Sequence, residues 1–175
     1  MRSSNRPAGR VILALAAAAL LGGCGNATVV SNVYSPYGGR YAYRDINYAA
    51  SLGPLPVFVR GSPFAGDRGN LGVAAALQRH TSVPGLRFVP VADPATAGYR
   101  LVLAFGTFVP GVNYCGGRGD FPVSIPSSGR TEVAATFCLA NYVHSQAQIT
   151  GGPARDPADP NFDSMMGALI NELFF

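Results

Sequence analysis

The chain lacks lysine and tryptophan altogether, and its 175 residues include only two histidines, three cysteines and a charged fraction of 13%. Side chains that build catalytic and metal sites are therefore scarce. The sequence contains no G-x-S-x-G nucleophile elbow, no phosphate-binding loop, no dinucleotide fingerprint and no zinc motif. Neither His80 nor His144 clusters with a cysteine at metal-ligand spacing. We expect no catalytic residue, no metal and no cofactor, and hence a protein that is not an enzyme.

The net charge gives no case for a nucleic-acid partner. It is formally +4, but three of the 13 basic residues, Arg2, Arg6 and Arg10, lie at the N-terminus. After them, ten arginines face nine acidic residues, which leaves a net charge of about +1. No basic stripe and no aromatic stacking motif accompanies these arginines. We therefore expect no nucleic-acid binding.

The first 23 residues have the pattern of an export signal. A positive segment without acidic residues precedes an apolar run of 11 residues, 11–21. Small residues follow, which is typical of a cleavage site. The run is too short to cross a bilayer as a helix, because spanning takes about 20 residues. The pattern predicts a signal peptide over residues 1–23.

The stretch Leu21-Gly22-Gly23-Cys24 resembles a bacterial lipobox. The resemblance implies cleavage before Cys24 and acylation of the Cys24 thiol, and it makes the lipid on Cys24 the link to the membrane. Two or three acyl chains anchor a protein stably, whereas one chain alone is marginal. The absence of Asp at position 25 favours the outer membrane, facing the periplasm. Ordinary cleaved secretion without acylation is the alternative.

The two other cysteines form an even pair in a chain expected in an oxidising compartment. We predict a disulfide between Cys115 and Cys138. Closing the 22 intervening residues contributes about 3 kcal/mol in the chain-entropy model. A reactive or metal-binding pair is the alternative, but the sequence has no C-x-x-C spacing to support it.

Residues 24–50 are rich in Gly, Ser, Asn and Tyr, with few charges. This composition predicts a flexible tether between the lipid and the domain. An aromatic surface for a partner or a glycan is the alternative for its tyrosines, the later of which could already pack on the domain. Residues 51–175 are then expected to form a single domain.

Periodicity after residue 50 predicts an α+β fold. Helices are expected from Asp67 or Asn70 to His80, and after the Asp159-Pro160 cap, where apolar residues recur at helical spacing. Strands are expected at Leu55–Arg60, Leu86–Val91, Tyr99–Phe108, Thr131–Leu139 and Tyr142–Ile149. This order favours a two-layer sandwich: a mixed or antiparallel sheet of about four to five strands with two helices on one face.

The last strand alternates in polarity. Val143, Ala147 and Ile149 are expected on one face, and His144, Gln146 and Gln148, with Tyr142, on the other. The alternation predicts one buried face and one solvated face.

Several short stretches resemble an uncharacterised family of small proteobacterial lipoproteins, and the resemblance covers most of the mature chain. It brings no activity and no site residues. The stretches are Tyr48-Ala49-Ala50, Gly61-Ser62-Pro63-Phe64, Tyr99-Arg100-Leu101-Val102, Ala135-Thr136-Phe137-Cys138 and the segment 157–175.

The function favoured by these observations is a non-enzymatic envelope lipoprotein, an accessory or assembly factor that binds another envelope protein. The Gly- and Pro-rich loop 109–130 is the expected contact surface, since loops on rigid scaffolds carry recognition. A small-ligand or lipid carrier with a pocket between sheet and helices is the alternative, and a hydrolase with a cryptic site is a third. Within the loop, the candidate contact residues are Val112, Tyr114, Phe121 and Ile125.

Overall fold

Six strands form one mixed sheet in the computed structural model. The structure describes residues 29–34, 39–64, 66–93, 98–106, 109, 112–116 and 129–175. Along the chain, the strands are β1 (Val29–Tyr34), β2 (Leu55–Arg60), β3 (Phe88–Val91), β4 (Tyr99–Phe105), β5 (Thr131–Leu139) and β6 (Tyr142–Gly151).

The strand order across the sheet is β1-β6-β5-β4-β2-β3. The pairs β1–β6, β6–β5 and β5–β4 are antiparallel, and β2 lies parallel to both β4 and β3. The predicted α+β sandwich with a mixed sheet is confirmed. The sheet has one strand more than the four to five expected, because β1 lies in the segment whose composition predicts a tether.

Among the described residues, three helices supply the second layer, where two were expected. They are α1 (Gly39–Leu52), α2 (Gly66–His80) and α3 (Pro160–Phe174). Ile46 of α1, Leu77 of α2 and Met166 of α3 join one hydrophobic core with Leu103 of β4 and Ile149 of β6. All three helices therefore cover the same face, called here the helix face. Among the described residues, no helix is long and apolar enough to cross a membrane.

Helix α3 forms where the sequence predicts it. The Asp159 carboxylate accepts a hydrogen bond from the backbone N–H of Asn161 at 2.9 Å, and Pro160 occupies the first turn. The residues at helical spacing are the buried ones: Phe162, Met165, Met166, Leu169, Ile170, Leu173 and Phe174. On the opposite side, Asp163 forms ion pairs with Arg79 and His80 at 2.6 and 3.0 Å, which link α3 to the end of α2.

The predicted flexible tether over residues 24–50 is wrong for most of its length. Residues 29–34 extend the sheet as β1, paired with β6, and α1 begins at Gly39. Ile46 and Ala49 of α1 lie in the core, three residues apart on one side of the helix. The folded domain therefore begins at least as early as Val29, and residues 25–28 lie outside the described residues.

The predicted β5–β6 hairpin is confirmed, with its turn at Ala140 and Asn141. The left-handed residue is Ala140, with φ of 49°, and not the asparagine. The Ala140 backbone N–H donates to the Gly98 carbonyl at 3.0 Å, which ties the turn to the start of β4. This tie holds a residue with a Cβ in a conformation that costs about 1 kcal/mol.

Replacing Ala140 with Gly is expected to raise the free energy of unfolding by about 0.5–1 kcal/mol, because glycine adopts the left-handed conformation without strain. Chemical denaturation would measure the gain. Asn141→Gly is the matched control, since residue 141 has no positive φ and glycine there only adds unfolded-state entropy. A gain of the same size in the control would contradict the role of the Ala140 backbone.

The other face of the sheet carries a second, smaller core that includes the predicted disulfide. Cys115 and Cys138 are bonded, with Cα atoms 5.5 Å apart, and both are fully buried. They pack with Phe58, Val102, Ala104, Ala134 and Tyr114. The bond thus fastens residues 112–116 onto the face opposite the helices, called here the disulfide face.

The expected solvated side of β6 is buried instead. A bulge places one extra residue, His144, between the Cys138–Val143 and Phe137–Ser145 pairs. An inserted residue reverses the alternation, so Val143 faces the disulfide side while Ala147 and Ile149 join the main core. Gln146 and Gln148 are buried on the disulfide face. The prediction of a solvated face is therefore wrong at these two positions.

Candidate binding surface at the hairpin end of the sheet

The bulge in β6 directs His144 towards α1. The His144 Nδ1 lies 2.7 Å from the Asp45 Oδ2, and both side chains are mostly buried. The His144 ring also contacts Tyr99 and Phe137, with centroids 5.9 Å away in each case. Bulges are typical devices for re-aiming a side chain at a functional position. Here the bulge fixes an imidazole–carboxylate pair between the sheet and α1.

Tyr99 links this pair to the surface. It stacks on Phe137 at 5.5 Å, and its other edge contacts Tyr48 of α1 at 6.2 Å. Burial first, and then the nearby Asp45 carboxylate, raise the pKa of the Tyr99 phenol above its ordinary value. Tyr99 therefore stays a neutral phenol at physiological pH, able to donate and accept hydrogen bonds.

Exposed apolar and aromatic side chains lie near Tyr99, on α1 and at the hairpin. Tyr48 is 57% exposed, and Leu52, one helical turn further on the same side of α1, is 65% exposed. Tyr142, at the hairpin, is 74% exposed and lies in the same row of the sheet as Tyr99, across Leu139. We call Tyr48, Leu52, Tyr99 and Tyr142 the tyrosine surface. Tyrosine is enriched at protein interfaces because it combines a large apolar ring with a polar hydroxyl.

A second exposed pair lies on the other flank of α1. The ring of Tyr43 contacts that of Phe175 at 5.4 Å, and both side chains are about half exposed. This contact packs the residue after α3 against the first half of α1. It adds aromatic area near the tyrosine surface but belongs to a different side of the helix.

The side chains at the hairpin end, exposed tyrosines above a histidine–aspartate pair, are of the kind that bind another protein through apolar contacts and hydrogen bonds. In the part of the chain that the structure describes, no group of three or more His, Cys, Asp and Glu side chains could hold a metal ion. The Asp45 carboxylate holds the imidazole of His144 in one orientation through the contact at Nδ1. The expectation that the protein is not an enzyme stays a prediction.

The residues predicted to form the contact surface in loop 109–130 have a different place. Tyr114 is only 3% exposed and packs in the core of the disulfide face, and its hydroxyl accepts a hydrogen bond from the Val109 N–H at 3.1 Å. Val112 is partly buried against the same core. The ring of Tyr114 thus covers the sheet and is not exposed, and its role as a contact residue stays a prediction. Phe121 and Ile125 lie outside the described residues, as does Cys24.

The space between sheet and helices is where the carrier alternative would need a pocket. The described residues place large, fully buried side chains throughout this layer, among them Phe137, Phe162, Phe174, Met165 and Met166. They form one continuous hydrophobic cluster with the strands. The packing of these described residues therefore does not favour the carrier alternative.

Sequence reasoning missed the tyrosine surface for two reasons. Composition predicts that Tyr48 lies at the end of a tether, and strict alternation predicts that His144 is an ordinary strand residue. One signal was present: Ile46, Ala49 and Ala50 recur at helical spacing among the tyrosines. The Asp45–His144 contact spans 99 residues of sequence and arises only when α1 packs beside β6.

No protein-family model matches the chain, and no curated protein does. Among solved structures, the chain is similar to the PelC dodecamer from Paraburkholderia phytofirmans, with 16% identity and a TM-score of 0.44 over 85% of this chain and 98% of that one. It is also similar to a single-substitution variant of that protein, with 15% identity and a TM-score of 0.40 over 85% and 97% of the two chains. At these low scores, the function of this chain rests on its own residues.

Proposed function

We propose that this protein is a lipid-anchored lipoprotein of the cell envelope, facing the periplasm, that binds another envelope protein as an accessory or assembly factor. The N-terminal signal and Cys24 support the location. The observation that carries the binding role is the exposure of Tyr48, Leu52 and Tyr142 around the half-buried Tyr99. The contact surface is thus proposed at the hairpin end of the sheet rather than in loop 109–130.

The tyrosine surface has the organisation expected of a protein interface. Tyr99 is held from below by Phe137 and His144, and Tyr48 packs against Tyr99, so these two rings lose little freedom when a partner binds. Exposed aromatic groups with such rigid support are typical of residues that dominate binding energy. The surrounding polar residues, Arg44 and Asn141, are exposed and form a hydrophilic rim.

Site-specific photocrosslinking from Tyr142 in intact cells tests the proposal. A photoreactive residue at position 142 is expected to capture a discrete envelope protein. The same residue at position 71 is the matched control, because Leu71 is as exposed as Tyr48 but lies on α2, which packs beside β3 at the far edge of the sheet. Capture of the same protein from both positions, or of lipid alone from position 142, would contradict the proposal.

Substitution then measures the contribution of the surface. Tyr48→Ala and Tyr142→Ala together are expected to weaken binding of the captured protein at least tenfold, since buried interface tyrosines contribute about 2 kcal/mol or more. Leu71→Ala should leave the affinity unchanged. Cys24→Ala separates the anchor from the surface: the variant should leave the membrane fraction and still bind the partner in solution.

A further inference from the structure

Three polar side chains are buried together on the disulfide face of the sheet. Arg100 is 1% exposed, and Thr136 and Gln146 are also nine-tenths buried or more. In the sheet register, Gln146 pairs directly with Thr136, and Arg100 pairs with Cys138, two residues along β5. Thr136 is thus the diagonal neighbour of Arg100, about 7–8 Å away and within reach of a long side chain.

The hydrogen-bonding groups of these side chains are mostly unused. The Arg100 Nη2 donates to the Cys115 carbonyl at 2.5 Å. The Arg100 Nε and Nη1, the Thr136 Oγ1 and the Gln146 Nε2 are buried without a hydrogen-bond partner. Buried polar groups are rarely left unpaired, because each such group costs about 1–3 kcal/mol. The free groups of the arginine and the glutamine are all N–H donors, and a hydroxyl can also donate.

The guanidinium of Arg100 also lacks a counter-charge among the described residues. The carboxylates of Asp163 and Asp45 lie beside Arg79, His80 and His144 instead. Burial lowers the pKa of Arg100 from its ordinary value, and a buried cation without an anion is strongly unfavourable. A planar guanidinium matches the two oxygens of a carboxylate or phosphate group.

We propose that Arg100, Thr136 and Gln146 form a binding site for a small oxyanion, a phosphate or carboxylate group, beneath the Tyr114–Cys115 segment. The anion accepts hydrogen bonds from the Arg100 Nε and Nη1 and from the Gln146 amide, and it neutralises the guanidinium. The site lies on the face of the sheet opposite the helix layer, so it is independent of the tyrosine surface.

Thermal unfolding of the purified full-length chain with increasing sodium phosphate tests the site, against sodium chloride at the same ionic strength. Phosphate is expected to raise the melting temperature saturably, by about 5–10 °C when it exceeds its dissociation constant a hundredfold. Acetate tests the carboxylate version of the same chemistry. No effect of phosphate or acetate beyond that of chloride would overturn the proposal.

Two variants and a control test whether the phosphate-dependent shift in melting temperature arises at this site. Arg100→Met, an apolar replacement of similar length, is expected to abolish the phosphate-dependent shift. Thr136→Val keeps the side-chain shape without the hydroxyl and should weaken binding about ten- to a hundredfold, so it tests the site even if the arginine variant does not fold. Arg68→Met removes an exposed arginine on α2 and should leave the shift unchanged. An undiminished shift in Arg100→Met or Thr136→Val would overturn the proposal.

A carboxylate of the chain itself is the other source of the same chemistry. Asp120 is the only acidic residue between positions 107 and 130. If phosphate leaves the wild-type protein unchanged but stabilises Asp120→Asn, the chain already neutralises Arg100, and the proposed ligand site is wrong. An equal phosphate response in wild type and Asp120→Asn supports an external anion.

Discussion

Replacing both Cys115 and Cys138 with alanine is expected to lower the free energy of unfolding by about 3 kcal/mol. The bond closes a loop with 22 intervening residues, and its removal returns that conformational freedom to the unfolded chain. Alanine avoids burying serine hydroxyls at two fully buried positions. Denaturant unfolding under oxidising conditions measures the loss.

Reductant provides the control for this prediction. The wild-type protein in excess thiol reductant should fall to the stability of the double alanine variant, and the variant should not respond to reductant. An unchanged free energy of unfolding in both experiments would show that the crosslink does not stabilise the domain. A loss much larger than 3 kcal/mol would instead show that the residues packed around Cys115 depend on the bond for their position.

The second large effect is expected at the start of α3. Phe162 is fully buried and packs edge-on against Phe64 at 5.0 Å and parallel to Phe105 at 6.1 Å. It joins α3, the segment before α2 and the end of β4. Phe162→Ala should lower the free energy of unfolding by about 3–5 kcal/mol, because it removes the ring and leaves a cavity between three elements.

Phe175→Ala is the matched control, since the same ring is removed one residue beyond α3 at a half-exposed position. Its effect should stay within about 0.5 kcal/mol in the same denaturation assay. Similar losses for the two variants would place the energetic centre of α3 outside the Phe64–Phe105 cluster.

The elements that the sequence predicts correctly are stabilised by residues close to one another in the sequence. Helix α3 follows from its Asp159 cap and an unbroken helical period, and the β5–β6 hairpin follows from two apolar runs around a short turn. Strand β2 begins and ends at the predicted residues, Leu55 and Arg60. In each case, residues near in sequence decide the structure.

The N-terminal elements could not be predicted in the same way. Over residues 43–52, where burial is described, helix α1 buries few apolar residues, so its pattern is weak beside its tyrosines. Strand β1 is an edge strand that gains its hydrogen bonds from β6, more than one hundred residues later in the chain. Long-range pairing of this kind leaves little trace in local composition, so both segments resemble a tether.

The two proposed sites depend on one local feature that spacing does not reveal. The bulge at His144 turns the imidazole towards Asp45, and it also shifts Gln146 onto the face shared by Thr136. A strict alternation would predict His144 and Gln146 on the same side, which is the arrangement expected from the sequence. A single inserted residue therefore creates the support of one site and a member of the other.

The pairing of β1 with β6 limits the distance between the sheet and a lipid on Cys24. Val29 pairs with Thr150, at the end of β6 remote from the hairpin. With Cys24 acylated, as we propose, the five residue steps to Val29 span at most about 18 Å, so this end of the sheet stays close to the lipid headgroups. Tyr142 lies eight residues along β6, about 26 Å away. If β6 runs along the bilayer normal, this short connection places Tyr142 at the end of the sheet remote from the membrane, where a partner can approach without contacting the lipid.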